Sequence, residues 1–239
     1  IQGFVLTKQT DGKSPRTVEF YGENHKRFLW YSQQRAWSDD IRMITEWDIR
    51  EFLGYVANET NRWGLEGNGS EPAQRKVSHT TVHHYYVVLA NFFDWVVREG
   101  FLTDNPIAKI KVAKPKNKII KPYMQEEISR LLAVCDSDYE NNAKFLGSRN
   151  RAIVLVLLDA GVRLMELIGM KMLDVNTSNG NIRVMGKGSK ERVVRIGKVA
   201  QKSLWRYLMS RPNNGRDELW LTEEGKPLGS VAVQCMVHE

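Results

Sequence analysis

The chain has 239 residues, and its 42% hydrophobic and 26% charged residues are those of a folded globular chain, which excludes wholesale disorder. Two cysteines, Cys135 and Cys235, exclude a disulfide framework and a cysteine-built zinc ribbon; they read as reduced cytosolic thiols. The net charge of +7 points to an anionic partner.

The apolar run Ala152–Leu158 is far short of a membrane span, and no basic-then-apolar leader opens the chain. The expectation is a cytoplasmic protein with no membrane partner. The chain opens at Ile1 without a methionine and stops inside the apolar stretch Val231–Val237, so both ends read as cut.

From the first residues to Asn105 the pattern is helical. Ser14 and Pro15 form a cap followed by proline at the first helical position. Val18, Tyr21, His25, Phe28 and Leu29 then recur at three- and four-residue steps, predicting a helix to about Arg35. A second helix is predicted over Ile49–Glu59, with Phe52, Leu53 and Val56 on one face. Asn61 to Ser78 reads as a loop rich in Gly, Asn and Ser. A third helix is predicted over Thr80–Glu99, with Val82, Tyr86, Leu89, Phe93 and Val96 or Val97 facing in and Gly100 ending it. Most of the seven tryptophans fall on apolar helix faces and read as core.

Asn105 to Pro122 carries six lysines and no acid, with prolines at 106, 115 and 122. Proline disfavours helix before it, so an extended linker and a domain boundary are expected here. Its lysines, among them Lys111, Lys114, Lys116 and Lys118, admit two readings: a track for a phosphate backbone, or a solvated tether. The division reads as 1–110, a basic linker over 111–122, and a second domain over 123–239.

In the second part a helix is predicted over Gln125–Cys135, with Ile128, Leu131 and Leu132 inward. Asn150–Ala160 is almost wholly apolar and reads as a buried helix, which Gly161 breaks before a short helix over Arg163–Met170. Three strands follow, over Leu173–Thr177, Asn181–Met185 and Glu191–Ile196, joined by turns at Asn179-Gly180 and over Gly186–Lys190. Ala200–Arg211 is an amphipathic helix, and Leu219–Leu221 and a helix starting near Gly229 and Ser230 close the chain. The fold class is thus mainly α, with a small three-stranded antiparallel sheet in the second part.

Arg163 opens a helix three residues before Glu166, so the two side chains are neighbours. A guanidinium held by its own helix's carboxylate suits clamping phosphate oxygens; the other reading is an ordinary surface ion pair. Lys187 sits between two glycines at a hairpin tip, where it suits a groove probe or a proton donor beside a phosphate; the other reading is turn chemistry. The phosphate-cradle motif of nucleotidases does not fit, because five residues separate Gly180 from Gly186 and a strand follows. His79 and His83 are four apart, but no glutamate lies between them and no third ligand is evident, so no metal is expected. With Ser78, the residues Thr80, Thr81, His83 and His84 form a polar helix start suited to a nucleic-acid backbone or base edges.

The run from Arg149 to Met170 resembles the first catalytic box of the tyrosine recombinases, the family of phage integrases and Xer-type recombinases. The following run from Asp174 to Ile196, through Gly186, Lys187 and Gly188, resembles that family's sheet and its catalytic lysine hairpin. The helical first part, with its Ser-Pro-Arg-Thr17 start and its helix from Thr80, is similar to the family's core-binding (SAM-like) domain. The resemblance implies a core-binding domain followed by a partial α+β catalytic domain. It also implies strand cleavage by a tyrosine through a 3′-phosphotyrosyl bond, without metal, nucleotide or other cofactor. Arg163 would stabilise charge on the scissile phosphate, Lys187 would protonate the leaving 5′ oxygen, and Glu166 would orient Arg163. Thr17 and Lys190 join the threonines, histidines and lysines above as DNA contacts.

The family's His-x-x-Arg box does not occur in the chain, and Tyr207 lies in an amphipathic helix and reads as core. The expectation is therefore a truncated recombinase that binds double-stranded DNA with half an active site. It would be monomeric in solution, while the full-length protein would meet other recombinase subunits on DNA. Two rivals stand beside this: a non-enzymatic DNA-binding protein derived from the family, and a helical protein-interaction module.

Overall fold

The computed structural model describes residues 1–59, 76–116, 119–186, 188 and 190–238. The chain divides into two compact units, Ile1–Ile119 and Ile120–Glu239. Among the described residues no helix is long and apolar enough to cross a membrane.

The first unit is all helical: α1 (Gln2–Thr10), α2 (Pro15–Gln34), α3 (Glu46–Asn58) and α4 (His79–Arg98). Ser14 caps α2, accepting the Thr17 amide, with Pro15 in the first turn. Ser78 does the same for α4 through the Thr81 amide. Phe4, Phe28, Phe52, Leu89 and Phe93 build one aromatic-rich core. Phe4 lies edge-on to Tyr21, His25, Phe92 and Trp95, an arrangement aromatic rings prefer.

Three expectations need correction here. The sequence reading missed α1, because only Phe4 of its nine residues is buried and no apolar stripe announces it. Helix α3 starts three residues earlier than expected, because Thr45 and Asp48 form a reciprocal capping box. Tyr31, not Leu29, carries the inward face at the end of α2. The expected loop after α3 lies mostly outside the described residues.

The lysine-rich segment is anchored at its start. The Ile107 amide donates to Asn105 Oδ1, and Asn105 in turn donates to Asp94 of α4. Ile107 and Ile110 are buried in the first core, which takes 105–110 out of the extended tether the prolines suggest. Lys109, Lys111, Lys114 and Lys116 stay exposed.

The second unit holds α5 (Gln125–Glu140), α6 (Lys144–Ala160), α7 (Leu164–Ile168), β1 (Val175–Asn176), β2 (Asn181–Met185), β3 (Glu191–Arg195), α8 (Lys198–Ser210) and α9 (Ser230–His238). Helix α6 packs against both α5 and α8. The approach of α5 needs a glycine: a Cβ on Gly147 would stand 2.5 Å from the Cys135 carbonyl oxygen. Ile153, Val156, Leu167, Ile182, Ile196, Tyr207 and Trp220 form the core.

The sheet runs β1-β2-β3, all antiparallel, with Val184 opposite Arg192 and Met185 opposite Glu191. Ile182 and Val184 are buried, as their alternation predicts. β1 is shorter than expected because a 3₁₀ turn over Met172–Asp174 takes its first residues. Isolated bridges join Lys171 to Glu218 and Leu221 to Pro227. The tryptophan expectation also fails in part: Trp95 and Trp220 are buried, whereas Trp47 and Trp205 are exposed.

Candidate active site

Gly161 closes α6 in the left-handed conformation (φ +56°), which turns the chain before Arg163. Arg163 is the N-cap of α7 and is held twice by Glu166. Its amide donates to Oε2 at 2.8 Å, and its Nη1 donates to Oε1 at 2.9 Å. The rest of the guanidinium faces solvent, because the Arg163 side chain is 72% exposed.

The same carboxylate is gripped from the sheet. Arg192 Nη1 and Nη2 donate to Glu166 Oε1 and Oε2, both at 2.7 Å, in a bidentate pair. Glu166 is buried, so an ordinary surface ion pair is not what the structure holds. The Arg192 guanidinium, then the Arg163 amide and side chain, hold the Glu166 carboxyl down to about 2, so it stays ionised across the physiological range.

Gly186 stands at the base of the hairpin beside this pair. Its amide donates to the Lys190 carbonyl at 2.8 Å. A Cβ there would lie 3.5 Å from both Arg192 Nη1 and Glu166 Oε1. The hairpin base and the start of α7 therefore share one carboxylate. Lys190 is exposed at the hairpin; Lys187 lies outside the described residues.

Arg192 is the residue the sequence reading missed. It lies on the half-buried face of β3 with Val194, and an arginine on a core-facing strand position calls for a buried carboxylate. Arg149 was also missed as a structural group: it is buried and its Nη1 donates to the Leu221 carbonyl at 3.0 Å.

The remaining candidates divide between the two units. In the first, a cleft of about 300 Å³ brings Thr81 and His84 of α4 beside Arg16 and Arg27 of α2. Thr80 is exposed and His83 half-buried. The Thr17 and Thr81 hydroxyls lie within hydrogen-bond distance of the Ser14 and Ser78 cap hydroxyls. Lys111, Lys114 and Lys116 are exposed, and Lys118 lies outside the described residues. Among the described residues no three His, Cys, Asp or Glu side chains converge as a metal site.

Tyr207 is core, as expected. It is fully buried, donates its hydroxyl proton to the Leu219 carbonyl, and accepts the Leu221 amide, both at 3.0 Å.

The chain shares its fold with solved integrase structures. The crystal structure of lambda integrase bound to DNA aligns with 99% of this chain and 74% of its own, with a TM-score of 0.68 at 17% identity. The model of the phage integrase family matches residues 123–239. The tyrosine recombinase XerC of Listeria innocua serovar 6a is 30% identical over 227 residues, covering 89% of this chain and 74% of the relative. The tyrosine recombinase XerD of Listeria monocytogenes serotype 4b is 28% identical over 209 residues, covering 82% and 69%. The chain belongs to the tyrosine recombinases, the phage integrase family.

Proposed function

We propose that this chain binds duplex DNA for site-specific recombination and carries part of the strand-cleaving site. The observation that carries the reading is Arg163, held by a buried carboxylate that Arg192 also grips, with its free edge in solvent. A guanidinium fixed in this way needs no reorganisation to meet charge on a phosphate. Arg163 stabilises the scissile phosphate, Glu166 orients it, and Lys187 protonates the leaving oxygen. A tyrosine oxygen attacks phosphorus, the bond to the 5′ oxygen breaks, and a 3′-phosphotyrosyl bond forms. Tyr207 is not that tyrosine, because its hydroxyl is spent on two backbone groups in the core.

The two units make up a core-binding domain and a catalytic domain, joined by the basic segment. Thr17, Thr80, Thr81, His83 and His84 meet the DNA from the first; Lys111, Lys114, Lys116 and Lys118 meet it from the basic segment, and Lys190 from the second. The protein acts on DNA in the cytoplasm, alongside other copies of itself or related recombinase subunits.

In a cleavage-competent protein containing these residues, Arg163→Ala or Lys187→Ala should lower strand cleavage about a hundredfold or more, with duplex binding far less affected. A 5′-thiolate leaving group needs no proton and should rescue Lys187→Ala alone. Full-rate cleavage of the ordinary substrate by Arg163→Ala contradicts the phosphate-clamp role. The same result with Lys187→Ala contradicts the proton-donor role.

A further inference from the structure

On the second unit, α5, α6 and α8 form an open pocket of about 540 Å³ lined by Asp136, Arg151, Lys198, Val199, Lys202, Ser203 and Arg206. Four of these seven are cations and one is an acid. Lys198, Lys202 and Arg206 recur every four residues, so they share one face of α8 over about 12 Å. Like charges at that spacing repel, and Lys198 in the first turn opposes the helix dipole, with no acid in that turn to offset it. A bound anion adds attraction to each of these charges and so offsets their mutual repulsion.

Two of the four cations are held in place by other elements. Arg151 Nε donates to Asp136 Oδ1 at 2.8 Å, and the Arg206 guanidinium lies 5.0 Å from the centre of the Tyr139 ring. Ser203, between the cations, is 96% buried, and its hydroxyl has no hydrogen-bond partner among the described residues. The cap of α8 adds a further limit: the Gly197 amide is taken by Asp159 Oδ2 at 2.7 Å, so the site rests on the side chains and not on that helix end.

We propose that this pocket is a binding site for phosphate oxyanions, separate from the one at Arg163. Arg151, Lys202 and Arg206 supply charge and donors, and the Ser203 hydroxyl gains there the partner it otherwise lacks. The phosphate belongs either to a DNA backbone or to a small phosphate compound. The row of cations is long enough for several phosphates of one strand, which repeat about every 3.4 Å along a duplex.

The test titrates the 239-residue chain and its Lys198→Gln/Lys202→Gln/Arg206→Gln variant with inorganic pyrophosphate by calorimetry, and with a 20-base-pair duplex by fluorescence anisotropy. The wild type should bind pyrophosphate, and the variant should lose at least about tenfold in affinity for one ligand or both. Loss for the duplex alone assigns the site to the DNA backbone. Loss for pyrophosphate alone assigns it to a small phosphate compound, and loss for both assigns it to the chemistry the two share. Unchanged affinity for both overturns the proposal. The three exchanged side chains are exposed, so the variant should melt with the wild type. If it does not, Ser203→Ala decides: weaker binding of either ligand supports the site, and unchanged binding of both overturns it.

Discussion

Glu166 accepts two hydrogen bonds from Arg163 and two from Arg192, one pair from its own helix and one from a strand 26 positions along the chain. The local half of this arrangement was legible in the sequence, because i,i+3 spacing on a helix makes neighbours by geometry alone. The other half was not, because which carboxylate a strand arginine meets is decided by how β3 is brought against α7. Arg192→Met leaves the carboxyl with Arg163 alone, so its pKa should rise from about 2 toward the ordinary carboxylate value. A carboxyl-carbon NMR titration reads this directly; an unmoved Glu166 contradicts the pairing. The linkage follows in sign: a depressed carboxyl stabilises the fold above its unfolded value of 4.5 and loses that contribution as pH falls toward 2. His25 behaves alike at higher pH. Burial among the rings of Phe4, Tyr21 and Phe92 pushes it down from 6.5 to about 4. It is neutral when folded, so stability present above 6.5 should decline as pH falls to about 4, by about 3 kcal/mol. His25→Phe should flatten that part of a denaturation-versus-pH curve, and an unchanged curve would contradict the buried neutral imidazole.

Elements with strong apolar periodicity or an explicit cap were legible: α2 from Ser14-Pro15, α4 from its apolar face, β2 from its alternation. Helix α1 was not, since its single buried side chain, Phe4, takes its meaning from rings on α2 and α4. Leu219, Trp220 and Leu221 are all buried, yet they form no regular element of their own. Their backbone is satisfied in large part by side chains: Tyr207 meets the Leu219 carbonyl and the Leu221 amide, and Arg149 the Leu221 carbonyl. Side-chain partners of this kind leave no period in the sequence. Tyr207→Phe strands the buried Leu221 amide, while the Leu219 carbonyl keeps Arg211 Nε at 3.2 Å, and should lower unfolding stability by about 1–3 kcal/mol, with duplex binding unchanged. A neutral result in chemical denaturation would contradict the hydroxyl's structural role, and lost DNA binding in a folded variant would give Tyr207 a place at the DNA.

At the scale of the molecule, a charge excess of +7 says little, but its placement says more. The segment from Asn105 carries six lysines and no acid, and the first unit's core anchors its opening turn through Ile107 and Ile110. Lys111, Lys114 and Lys116 follow that anchor in exposed positions, where the entropy of an untethered chain no longer opposes contact with a rigid backbone. The acid-free run was legible from composition; the anchoring was not, because two isoleucines among lysines do not announce which core they enter. The central claim is that this chain recognises the phosphate backbone of duplex DNA. The measurement that tests it most directly is duplex affinity between 50 and 200 mM salt, for the wild type and for the Lys111, Lys114, Lys116 and Lys118 fourfold glutamine variant. Affinity should fall linearly on logarithmic axes, and the variant's slope should be shallower by roughly 0.9 for each phosphate it no longer neutralises, with its melting temperature unchanged. Absence of duplex binding at 50 mM salt, or identical slopes in the two proteins, would contradict the account.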